Sequence, residues 1–159
     1  MRTHRFEVLN RWTGNLGAGT RAYAAYSRNY EISGAGKAAP IPGSSDAAFR
    51  GEAARYNPEE LLVAALSACH MLFLLHLCAD AGIEVTEYAD AASGVMAVDP
   101  DGGGEFTSVI LRPEMRIADP ARAADALALH ARAHELCFIA RSVHFPVVCE
   151  PSIAAPARS

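Results

Sequence analysis

The sequence predicts an α+β fold. Three observations carry that expectation: a long helical segment with no charged residue between positions 61 and 79, an amphipathic helical segment opening at Asp119 and Pro120, and strand-like stretches flanking each of them. The chain has 159 residues, 51% hydrophobic and 20% charged, which suits one domain with a substantial core. A net charge of −4 with mixed signs offers no basic face for phosphates, so nucleic acid is not expected and a small molecule or another protein is.

Residues 6–12 and 21–32 are rich in aromatic and β-branched types. The glycines and Asn15 between them supply turn chemistry, so the chain should open with a β-hairpin. Residues 33–56 are rich in Gly, Pro, Ser and Ala without a helical apolar face. They read as a long loop, with a short strand near Phe49. The first helix opens clearly: Asn57 can cap it, Pro58 fits the first helical position, and Glu59 and Glu60 favour the positive end of the macrodipole. Gly82 should close it.

Residues 83–98 alternate as a strand, the Asp-Pro-Asp-Gly-Gly-Gly run makes a turn, and residues 106–117 form the hairpin partner. The second helix should run from Asp119 and Pro120 to about Ser142, with Leu127, His130, His134, Cys137 and Ile139 at helical spacing. Residues 143–148 form a last short strand and residues 151–159 a frayed tail. The order β-β-(β)-α-β-β-α-β is that of a single α+β domain over residues 1–159, with no solenoid repeat and no low-complexity linker.

The N-terminal Met-Arg-Thr-His-Arg-Phe run lacks an apolar core of signal-peptide length, which points to a cytoplasmic chain whose four cysteines are reduced. The uncharged segment is about long enough to span a bilayer. Ser67, His70, His76 and the flanking Glu59, Glu60 and Asp80 suit a membrane poorly, and burial between sheets or between subunits explains an all-round apolar helix better.

Cys69 and Cys78 share that helix. Nine residues of helix place them on opposite sides and roughly 13 Å apart, so they cannot bridge each other. A disulfide from Cys69 must reach another element, and Cys137 or Cys149 can supply the partner, Cys137 the more readily through helix-on-helix packing. Cys78 and Cys149 are expected as small buried hydrophobes. Burial raises a thiol's pKa, so a reactive Cys69 needs a cation from outside its helix, and Arg21, Arg28, Arg50 and Arg55 precede it in the hairpin and loop. His130, His134 and Cys137 project from one helical face with metal-ligand spacing but no evident fourth ligand. His70 and His76 are expected as core or interface histidines with satisfied ring nitrogens. There is no GxSxG, P-loop, dinucleotide fingerprint or paired CxxC.

Asn-Pro-Glu-Glu-Leu set ahead of Cys69, and the later Glu-Leu-Cys-Phe-Ile-Ala-Arg-Ser-Val-His-Phe-Pro-Val around Cys137, resemble the OsmC/Ohr family of thiol-dependent peroxidases. The likeness spans nearly the whole chain, and it implies an OsmC-like fold: antiparallel sheets packed around two main helices in an intertwined homodimer. It implies further that Cys69 attacks a hydroperoxide and Cys137 resolves it, with Glu59 as the family glutamate that orients an arginine on the thiolate. That arginine comes from the first hairpin or the loop before the helix, where Arg28 and Arg50 stand. Arg50 lies nearer the family's loop position. Phe138 departs from the common pattern, in which a proline follows the second cysteine.

The residues themselves agree with this chemistry, because a thiolate held by an arginine displaces alcohol from a peroxide and the sulfenic acid condenses with a second thiol. Neither metal nor flavin is required, only an external dithiol reductant. Glu59 and Cys69 lie about 15 Å apart in rise on one straight helix. A shared centre therefore needs a partner chain or a broken helix, which favours active sites at a homodimer interface. Met71, Phe73 and Phe138 suit an organic hydroperoxide if they line the pocket. The reading is oxidative stress defence by organic hydroperoxide reduction. Its rivals are a non-enzymatic ligand-binding or stress protein of the same fold with structural cysteines, and a metal-binding module built on His130, His134 and Cys137.

Overall fold

The uncharged segment forms helix α1, Pro58–Asp80, in the computed structural model, which describes residues 2–154. Its start is a reciprocal capping box: the Asn57 side chain accepts from the Glu60 amide at 2.7 Å, and the Glu60 carboxylate accepts from the Asn57 amide at 3.0 Å. Gly82 ends it as expected. At φ 67° it adopts the left-handed conformation, which lets the Ile83 amide reach back to the Cys78 carbonyl at 2.8 Å. The chain falls into two compact units, Met1–Leu61 and Leu62–Ser159, with α1 passing from the first into the second.

The N-terminal unit is a three-stranded antiparallel sheet, β1 (Leu9–Trp12), β2 (Tyr30–Ser33) and β3 (Ile41–Gly43), in that spatial order. The hairpin is present, but its second strand begins at Tyr30 rather than at residue 21. Asn15 folds the tip by accepting from the Gly17 and Gly19 amides. Irregular chain then returns through a Ser27 to Gly14 backbone bond of 2.9 Å. Gly14 is required at that crossing, since a Cβ there would lie 1.9 Å from the Ser27 carbonyl oxygen. The short strand expected near Phe49 lies instead at β3. Phe49 closes a 3-10 turn, Ala47–Phe49, capped by the Asp46 side chain on the Ala48 amide at 2.8 Å.

In the C-terminal unit the two long strands expected at 83–98 and 106–117 each divide. They give β4 (Val85–Asp90), β5 (Ser93–Val98), β6 (Gly104–Leu111) and β7 (Pro113–Ile117). β4 pairs with β7 and β5 with β6, so one long hairpin is bent into two sheets. The bend has a chemical cause. Pro113 has no amide hydrogen to donate, and the Asp90 carboxylate takes the Arg112 amide at 2.6 Å on one oxygen and the Ser67 hydroxyl at 2.6 Å on the other.

Helix α2, Ala123–Leu136, follows a 3-10 turn at Pro120–Arg122 that Asp119 caps. It stops six residues short of the expected end at Ser142. Cys137 is already extended at φ −60°, ψ 110°, and the chain beyond it sends Ile139, Ala140 and Val143 into a core around Leu66, Val109 and Leu111. No glycine or proline marks this stop, so packing ends the helix where local propensity would continue it.

Two short strands complete the sheets. β8 (Val147–Cys149) lies parallel to β6, and β9 (Ser152–Ile153) lies parallel to β7. The sheets are therefore mixed rather than purely antiparallel, and the frayed tail is corrected over residues 152–154. Ile153 packs on the core and the Ala154 amide donates to the Met115 carbonyl at 2.8 Å, while residues 155–159 lie outside the described residues. Helix α1 buries one stripe at four-residue spacing, Leu66, His70, Leu74 and Cys78. Leu74 and Cys78 join Ile83, Met115, Ile117, Ala126 and Ala133 in a second core. By length and composition α1 could cross a membrane, and its polar side chains Ser67 and His70 are bonded to Asp90 and His130 of the same unit.

Candidate functional site

Cys69 and Cys137 meet. Cys69 lies half-buried on α1, Cys137 is buried where α2 ends, and the two free thiols lie close enough to interact, with no disulfide between them. Burial, with the Cys69 hydrogen bond and charge adding to it, pushes the Cys137 thiol up to about 11 against the pull of the Ala140 and Ile139 amides. The Ala140 amide donates to the Cys137 sulfur at 3.4 Å. The early end of α2 makes this possible: with Cys137 extended, the amides that follow fold back over its sulfur. At neutral pH the Cys137 side chain is a thiol. Beside the pair, Phe138 packs edge-on against Phe73 with ring centroids 5.0 Å apart, and Phe138 is 69% exposed. The two sulfurs thus sit next to an aromatic surface open to solvent.

Arg28, Arg50 and Glu59 belong to the N-terminal unit. Arg28 is held on three sides. Its guanidinium donates to the Tyr26 and Tyr23 carbonyls at 2.6 and 2.7 Å and lies 4.1 and 4.2 Å from the centres of the Tyr26 and Tyr23 rings. It lines a groove with Asn10, Trp12, Tyr30, Ile32, Pro58 and Leu61. Arg50 is exposed at the end of the 3-10 turn, in the left-handed conformation at φ 66° and 5.9 Å from the Tyr23 ring centre. Glu60 is committed to the capping box. Glu59 is not, and its charge, after burial, raises the Tyr30 hydroxyl pKa. Arg28 and Glu59 therefore both border Tyr30 at the start of α1, whereas Arg50 does not line this groove.

The histidines depart from expectation. His76 is exposed and pairs with Asp80 at 3.4 Å, so it is not a core residue. His130 does not converge with His134 and Cys137. Among the described residues, the group whose ligand atoms do converge is His70, His130 and Cys149. His70 Nε2 lies 2.9 Å from His130 Nδ1, and the Cys149 sulfur lies 3.5 and 3.7 Å from these atoms. His70 is buried, but its Nδ1 has no partner, and neither has His130 Nε2. Cys78 is the core thiol expected of it. Cys149 packs against the Leu66, Val109 and Leu111 core as expected, and its sulfur also lies beside the two imidazoles. An α1 that is apolar on all sides does not separate the inward His70 from the exposed His76 in sequence, and the parallel docking of β8 on β6 that delivers Cys149 has no local signal.

Residues 51–152 match the model of the OsmC-like protein family. An OsmC-like protein of unknown function from Vibrio cholerae is 30% identical, with a TM-score of 0.81 over 94% of this chain and 99% of its own. The organic hydroperoxide resistance protein OsmC of Legionella pneumophila shares 19% identity at a TM-score of 0.65, covering 96% of this chain and 100% of its own. An organic hydroperoxide resistance protein of Bacillus subtilis shares 20% identity at 0.58, covering 93% and 96%. These two likenesses are of fold. Comparison with curated proteins gave no match. With a matched region that contains both sulfurs of the Cys69 and Cys137 pair, and with the α+β fold shared along nearly the whole chain, this protein belongs to the OsmC-like protein family.

Proposed function

We propose that the chain is a cysteine-based peroxidase that reduces organic hydroperoxides. The observation that carries this reading is the Cys69 and Cys137 pair, two unbridged thiols on different elements that lie close enough to interact. The Cys69 thiolate attacks the terminal peroxide oxygen. The O–O bond breaks, the alkoxide leaves and takes a proton as alcohol, and Cys69 becomes a sulfenic acid. Cys137 then attacks that sulfur. Its proton and the sulfenic hydroxyl depart as water, leaving a Cys69 to Cys137 disulfide that two external thiols reduce. A resolving thiol with a pKa near 11 stays protonated until the sulfenic acid forms beside it, so the disulfide follows oxidation of Cys69.

The exposed Phe138 on Phe73 favours a peroxide with an apolar group. The family's arginine and glutamate are assigned to Arg28 or Arg50 and to Glu59. The reading includes a cytoplasmic location and a homodimer; the homodimer is supported by the absence of charge between residues 61 and 79 of a helix that buries one stripe and leaves Leu72 63% exposed. The test is intact mass and peptide mapping of reduced protein after a small excess of cumene hydroperoxide. Loss of two hydrogens per chain, mapped to a Cys69 to Cys137 bridge, is expected. Unchanged mass, with both thiols inert to alkylation until denaturation, would replace this reading with that of structural cysteines.

A further inference from the structure

We propose that His70, His130 and Cys149 form a binding site for a zinc-type divalent cation, separate from the Cys69 and Cys137 pair and independent of the peroxidase reading. The three residues come from α1, α2 and β8 of the C-terminal unit, and their nearest atoms form a triangle of 2.9, 3.5 and 3.7 Å. A triangle with these edges has a point about 2.0 Å from every corner, close to the Zn–N length of about 2.0–2.1 Å and slightly inside the Zn–S length of about 2.3 Å. In tetrahedral zinc the N–N edge is about 3.4 Å and the N–S edges about 3.6 Å, so only the histidine pair must open, by about half an ångström.

The ring centroids are 5.2 Å apart with 18° between planes. With nitrogens only 2.9 Å apart, this means the rings meet edge to edge rather than face to face, each nitrogen pointing at the other, so on binding each ring must swing by roughly 35° toward Cys149 to aim its lone pair at the metal. Donor chemistry fits as well. Imidazole nitrogen and thiolate are the ligands zinc selects, and three protein donors leave a fourth position open.

His70 is 0% and His130 3% exposed. Their mutual hydrogen bond satisfies one nitrogen on each ring; His70 Nδ1 and His130 Nε2, which have no partner among the described residues, are the far-side nitrogens and would carry the N–H groups of the metal-bound rings. Binding exchanges the Cys149 thiol proton, released to solvent, for the metal–sulfur bond.

The test is anaerobic titration of the reduced full-length protein with Co²⁺ and competition with Zn²⁺. One metal per chain is expected, with a near-ultraviolet thiolate-to-cobalt charge-transfer band. Cys149→Ser, nearly isosteric, should abolish the band and weaken zinc binding by more than about tenfold. The double variant Cys69→Ser with Cys137→Ser should keep both, which separates this site from the redox pair. No stoichiometric metal at micromolar Zn²⁺, or a band that survives Cys149→Ser and disappears with Cys137→Ser, would overturn the proposal.

Discussion

In the proposed mechanism Cys69 and Cys137 carry different burdens, and single substitutions separate them. Cys69→Ser should lower peroxide turnover by at least about a hundredfold, because the nucleophile is gone. Cys137→Ser should leave one oxidation per chain and stop recycling, which a single-turnover assay followed by sulfenic-acid trapping reads directly. Turnover retained by Cys69→Ser would end the mechanism. The arginine is found by the pH profile of Cys69 alkylation. Whichever of Arg28→Ala and Arg50→Ala moves that profile upward by about one unit or more marks the residue that holds the thiolate. Arg28, clasped by two carbonyls and two rings, is the better ordered of the two. The sequence singled out Cys69, Cys137 and Glu59 through a resemblance to a family motif and left the arginine between Arg28 and Arg50, neither of which matches that motif cleanly. The commitment of Glu60 to a cap was not separable from the role of Glu59 until the hydrogen bonds were seen.

At the scale of elements, α1 is the best-signalled piece of the chain. Asn57→Ala should destabilise the fold by about 1 kcal/mol, measured by urea unfolding, because it removes one arm of the capping box and leaves the Glu60 amide without its acceptor. Leu74→Ala, on the fully buried stripe, should cost about 2–5 kcal/mol. Equal stability of either variant and the parent would contradict the packing described. The end of α2 shows the limit of local reasoning. Residues 137–142 suit a helix by composition, yet Ile139 and Val143 gain more from a core made by α1 and β6. The division of the long hairpin is similar. Alternation continues through residues 91–92, and only the carboxylate of Asp90, shared between Ser67 and the Arg112 amide, bends the ribbon there.

For the molecule as a whole, the buried histidine pair predicts a pH dependence. His130 falls from the ordinary 6.5 to about 4, chiefly through burial and then the charge of His70, and His70 is lowered too. Protons then bind the unfolded chain more readily than the folded one. The stability of metal-free protein is full above about pH 6.5 and is lost as pH falls toward about 4. Denaturant unfolding across that range should show the decline, and a variant with both His70→Gln and His130→Gln should lose this component of it. At the alkaline end the sign reverses. Cys137 and Cys149, each raised to about 11 mainly by burial, contribute stability below about pH 9 that is lost as pH rises through 11.

The sequence by itself determined the α+β class, the limits of α1, the opening hairpin and the family, because capping, turn chemistry and periodicity are local and are written within a few residues of where they act. Only the tertiary structure decided that the sheets are mixed, that α2 stops at Leu136, that Ser152–Ile153 is a strand and that Cys149 faces His70 and His130. Each of these depends on contacts between segments distant in the chain, where burial of apolar surface outweighs local preference. Such pairings leave no periodic trace in the residues that make them.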